Sequence, residues 1–204
     1  MSTTPDLFDS QHESEFAPRV AANSRLTSAT GAVIFVLLFA EGITILQVGR
    51  LLTPHVFIGL MLIPPVLLKV ATTGWRLVRY YSGDRDFVRR GPPHLILRLL
   101  GPFVVVLTVV VIASGMALVF THAMRSQMLL VHKASFILWL GAMTIHVLGH
   151  IIETATLAPR DWFARSRRQV AGASRRQWVL VASVVAGVIL AVLLTPYASN
   201  FFVG

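Results

Sequence analysis

The chain has 204 residues, of which 55% are apolar and only 13% charged, with a formal net charge of +9 and no cysteine. That apolar excess excludes a water-soluble domain, and the missing cysteine excludes disulfides and thiolate-held iron–sulfur clusters. The positive charge does not indicate nucleic acid, because the basic residues gather in two short loops between apolar runs, where they set membrane orientation.

Residues 1–28 are polar and of mixed charge, without the basic start and apolar core of a signal peptide, and are expected to form a mobile cytoplasmic tail. The first apolar span follows at about 29–49, with Glu41 inside it. The second runs from Pro54 to about 80, and Pro64 and Pro65 predict a kink whose freed carbonyls face neighbouring helices. Further spans occupy about 95–120, 127–153 and 178–197, each near the twenty residues that cross a bilayer core. The expected architecture is therefore an all-α integral membrane protein of five transmembrane helices. The first four (29–155) form a bundle; a basic cytoplasmic loop (156–177) leads to the fifth helix and a short outer tail (178–204).

Charge orients these spans. Arg76, Arg79, Arg85, Arg89, Arg90 and Arg98 lie between spans two and three, and Arg160, Arg165, Arg167, Arg168, Arg175 and Arg176 between four and five. The opposite loops hold Arg50 and Arg125, with Lys133 just inside the fourth span. Basic loops stay in the cytoplasm, so the N-terminus is expected inside, the C-terminus outside, and the protein in the cell membrane. Spans two and four then run parallel.

The fourth span carries His132 and His146, fourteen residues apart. Fourteen residues make almost four helical turns, so both lie on one stripe, about 21 Å apart along the axis. Histidine in an apolar span needs a partner, and a metal would use two at that separation, which points to two haems stacked across the membrane. His55 and Lys69 repeat the spacing on the second span. An outer pair is then His55 with His132, and an inner pair Lys69 with His146. Two axial nitrogens make haem iron six-coordinate, which suits electron transfer. Without cysteine there is no CxxCH attachment, so the cofactor would be non-covalent haem b, one or two per chain. Gly59, Gly141 and Gly149 lie near the ligands and would leave room for the ring.

Histidines fourteen apart on two parallel helices resemble the di-haem arrangement of the cytochrome b and b6 family. The segments HVFIGLMLIPPVLLK, GPPH, VVVIASGMALVF and LLVHKASFILWLGAMTIHVLGH resemble the small bacterial b-type cytochromes related to cytochrome b561. The likeness covers about residues 30–155 and implies His55, His132 and His146 as axial ligands. Position 69 departs from the pattern, which has histidine where this chain has lysine.

Three readings of Lys69 stay open. It ligates iron as a neutral amine; or the inner haem takes His94 or His150 instead; or only the outer haem exists and Lys69 reaches a carboxylate or lipid head group. Arg76, Arg79 and Arg98 are topology determinants or haem propionate partners. His12 and His122 carry no chemistry, and Trp75, Trp162, Tyr80 and Tyr81 belong to the interfacial belt. Glu41 is the one acidic residue well inside a span, either hydrogen-bonded to another helix or the proton acceptor for a quinol, with Thr44 and Gln47 as polar neighbours. The expected function is a b-type cytochrome in contact with membrane lipids, with quinol as a candidate donor and an unidentified electron-transfer partner. The alternatives are a haem-free scaffold with structural histidines and a haem-handling or transport protein.

Overall fold

The computed structural model describes residues 18–89, 95–120, 124–162 and 172–202, and side chains over the same ranges except 95–97, 150–162 and 199–202. The described residues are helical almost throughout: α1 (Pro18–Leu46), α2 (Val48–Tyr81), the short α3 (Arg85–Arg89), α4 (Leu95–Phe120), α5 (Arg125–Trp162), α6 (Ala173–Leu194) and a terminal 3₁₀ helix (Thr195–Phe202). Five of these, α1, α2, α4, α5 and α6, are long and apolar enough to cross a membrane. Their outward faces carry large apolar side chains such as Phe39 (68% exposed), Leu130 (69%) and Ile137 (68%). Such faces belong against lipid, and helices that satisfy their own backbone groups are the form that tolerates it. The chain is an all-α membrane protein.

Inside, small and polar residues such as Ser28, Thr30, Ser114 and Ser135 are buried among apolar ones such as Leu60, Leu62, Val104 and Leu107. Small residues let helix backbones approach where no water is available to drive apolar association. α1 packs along both α2 and α5, α4 packs on α5, and α2 touches α4 more lightly. These four helices form a ring in which α2 and α5 stand at opposite corners. α6 packs against the outside of α2.

α1 starts at Pro18, well before the apolar run at 29, so residues 18–28 are helix rather than tail. Tertiary contacts decide this where local polarity does not. Arg19 bonds to Asp84 and Asp86 at 2.8 and 2.5 Å, and Arg79 joins Asp84 at 2.8 Å. One turn deeper, Asn23 donates to the Thr72 carbonyl at 3.1 Å. The start of α1 is thereby fastened to the end of α2 and to α3, whose Phe87 is buried.

The kink expected at Pro64 and Pro65 is absent there. α2 departs from helical dihedrals only at Leu51 (φ −109°, ψ 24°), three residues before Pro54 and just after the chain reverses at Gln47. The pyrrolidine of Pro54 would collide with the carbonyl four residues back, and Leu51 absorbs that conflict. Pro65 removes the N–H that would bond the Met61 carbonyl, and this freed carbonyl faces Gly187 of α6, where any Cβ would run into it. The expected carbonyl–helix contact thus exists, without a bend.

Candidate functional site

The reversal at Gln47 makes α1 and α2 a hairpin, and it sets Glu41 beside His55. His55 Nδ1 lies 2.9 Å from Glu41 Oε1 and 3.1 Å from Thr44 Oγ1. The Thr44 hydroxyl has one proton and gives it to the Glu41 main-chain carbonyl at 2.6 Å. Its oxygen is therefore an acceptor toward the ring, and His55 Nδ1 is the donor between a hydroxyl and a carboxylate.

α4 and α5 form a second hairpin with a matching arrangement. His132 Nδ1 lies 3.0 Å from the Val111 carbonyl, which can only accept, and 3.1 Å from Ser114 Oγ, whose proton goes to the Val110 carbonyl at 2.7 Å. Both histidines are thus held through Nδ1, which leaves Nε2, across the ring, as the nitrogen available to a ligand. This is the state of a metal-binding imidazole oriented through its other nitrogen.

The two rings face each other across the bundle, from α2 and α5 at opposite corners. Their centres are 6.4 Å apart and their planes nearly perpendicular, at 82°. A metal bound between two imidazoles sits about 2 Å from each nitrogen, with each ring centre about 1 Å further, so two such rings stand roughly 6 Å apart. The observed separation fits an axial pair. The same spacing and angle also suit two rings in edge-to-face contact, so the feature that points to ligation is the acceptor fixed behind each Nδ1.

Two glycines lie beside the groups that hold these rings, and only Gly115 stands closer than an ordinary contact. A Cβ at Gly59 would stand 3.4 Å from Glu41 Oε1, and one at Gly115 would stand 3.2 Å from His132 Cε1. Gly141, expected to make room, has nothing within 4 Å of its Cβ position. Glu41 and His55 are 13% and 20% exposed, so the carboxylate is largely withdrawn from solvent and its partner matters correspondingly more.

The other residues expected at a site are placed as follows. Lys69 Nζ donates to the Thr27 carbonyl of α1 at 2.8 Å and lies against Gly31. His146 is half-buried on α5, two heptads beyond His132. Trp139, midway between them, donates to Thr108 of α4 at 2.8 Å and fills the intervening depth with an anchored side chain. Arg98 bonds to the Tyr81 hydroxyl and stacks on its ring at 5.1 Å, and Arg79 stacks on Trp75 at 5.3 Å. Arg76 is half-buried on α2. His94 lies outside the described residues, as does the side chain of His150. Among the described residues no cluster of three or more His, Cys, Asp or Glu could hold a bare metal ion; an axial pair on a haem needs only two.

Val111, Ser114 and Gly115 are the contributors that sequence reasoning missed. A signal was available, since Ser114 and His132 lie nine residues either side of position 123, where a hairpin between spans three and four has to turn. No protein-family profile, characterised relative or solved structure matches the chain, so the site is read from its own residues.

Proposed function

We propose that the chain is a membrane-bound b-type cytochrome of the kind its segments resemble, holding one non-covalent haem between His55 and His132. The observation that carries this reading is the perpendicular imidazole pair at 6.4 Å, each ring fixed through Nδ1. His55 and His132 would hold the haem through their ring nitrogens, and the chemistry it would supply is one-electron transfer. The protein's own part is to hold both rings through Nδ1, to keep water from them with lipid-facing helices, and to leave the His132 ring its place at Gly115.

One haem, rather than two, is the reading that Lys69 supports. Its amine is engaged with a main-chain carbonyl on α1, four residues nearer the arginine-rich end of the bundle than Gly31, in the manner of a side chain reaching toward an interface. The arginine distribution supports an N-terminus in the cytoplasm and a C-terminus outside the cell membrane, with the histidine pair toward the outer face. A quinol remains the proposed donor class, since it is a lipid-soluble electron and proton carrier and the pair lies within the apolar spans.

The test is haem content of the purified protein. One haem per chain with sharp reduced-minus-oxidised bands is expected. His55→Ala and His132→Ala should each lose it, while His146→Ala should keep it. A colourless wild-type protein, or full haem in either of the first two variants, would sink the reading.

A further inference from the structure

The two imidazoles are held by chemically different acceptors. His132 gives its Nδ1 proton to a neutral carbonyl and a neutral hydroxyl, whereas His55 shares its own between the Glu41 carboxylate at 2.9 Å and the Thr44 hydroxyl at 3.1 Å. We infer that Glu41 is a positioning residue that sets the reduction potential of the centre through His55, with Thr44 moderating its effect. The inference rests on the haem reading above.

The physics is a matter of charge and basicity. A carboxylate accepting the Nδ1 proton pushes electron density into the imidazole and makes Nε2 a stronger donor. A stronger donor stabilises the oxidised iron more than the reduced, and the potential falls. The carboxylate's own charge, at 13% exposure, acts in the same direction with little screening by water. Thr44 works the opposite way. Its hydroxyl oxygen takes part of the same Nδ1 proton and weakens the bond to Glu41. Thr44 is itself buried, at 4% exposure. Among the described residues no carboxylate is bonded to His132, so the asymmetry belongs to the α1–α2 side.

The experiment is a spectroscopic redox titration of the haem-loaded, full-length protein. Glu41→Gln keeps the shape of the side chain and removes its charge; the midpoint potential should rise. Thr44→Val keeps the volume and returns the whole Nδ1 proton to the carboxylate; the potential should fall. Ser114→Ala, on the opposite ring, should move it less than either, because the Val111 carbonyl still accepts. Opposite signs at positions 41 and 44 are beyond a merely structural role, which would lower haem content and leave the potential of the remaining haem alone. If Glu41→Gln retains no haem, Thr44→Val carries the test. An unchanged or raised potential in Thr44→Val, or an unchanged one in a haem-loaded Glu41→Gln, overturns the inference. A wild-type protein without haem instead overturns the reading beneath it, so the two failures are distinguishable.

Discussion

Adding a single methyl group at Gly115 tests whether the His132 ring is held for ligation. The new Cβ would stand 3.2 Å from His132 Cε1 and 3.5 Å from Nδ1. Carbon atoms rest at about 3.5–4.0 Å, so the ring has to yield by roughly 0.3–0.8 Å. The bonds from Nδ1 to Val111 and Ser114, now 3.0 and 3.1 Å, have little slack, because good geometry ends at about 3.2 Å. Losing the equivalent of one such bond costs about 1 kcal/mol, which is roughly a fivefold loss of affinity where tenfold is about 1.4 kcal/mol. Gly115→Ala should therefore weaken haem binding by roughly five- to tenfold, and Gly115→Leu, whose side chain would occupy the ring's position, should abolish it. Haem titration into the detergent-solubilised apoprotein, followed by absorbance, measures both. Gly141→Ala is the control, since its Cβ position has nothing within 4 Å. Wild-type affinity and an unaltered spectrum in Gly115→Leu would refute the placement of the site between α2, α4 and α5.

Three further outcomes are expected. Gly187→Val forces a side chain against the Met61 backbone, whose carbonyl carbon lies 3.1 Å from the Cβ position, and should cost about 1–3 kcal/mol of overpacking, seen as a lower thermal midpoint in detergent. An unchanged midpoint would show that α6 does not seat there. Lys69→Met removes the bond to Thr27 and should cost about 1 kcal/mol of stability while leaving one haem per chain; a wild type with two haems and a variant with one would instead restore Lys69 as a ligand. A reporter that is active only outside the cytoplasm, fused after Gly204, should be active, and its silence would invert every depth assigned from the arginines.

The spans and their parallel histidines were legible in sequence because the signals are periodic and dominated by one force. Twenty-residue apolar runs have few alternatives in water or lipid, and a fourteen-residue spacing puts His132 and His146 on one stripe whatever surrounds them. Less legible were the features that depend on which helix stands beside which. Glu41 was conspicuous as a buried acid, yet its partner His55 follows only once the reversal at Gln47 brings α1 back along α2. Val111 acts through a main-chain carbonyl, which no side-chain pattern reports. Residues 18–28 read as tail because Asn23, Ser24 and Arg25 are polar; Arg19 with Asp84 and Asp86, and Asn23 with Thr72, hold them in the helix. The proline pair signalled a bend, but that stretch of α2 is clamped by α1 on one side and α6 on the other and stays helical, while the departure at Leu51 belongs to Pro54.

The hairpin organisation of the ligands has a consequence for biogenesis. His55 meets Glu41 and Thr44 within α1–α2, and His132 meets Ser114 and Val111 within α4–α5, so neither ring waits for the other to be oriented. As the chain leaves the ribosome, the α1–α2 hairpin with its oriented His55 emerges ahead of the α4–α5 hairpin. In the proposed haem reading, closing the ring of helices then brings together two halves that are each already oriented.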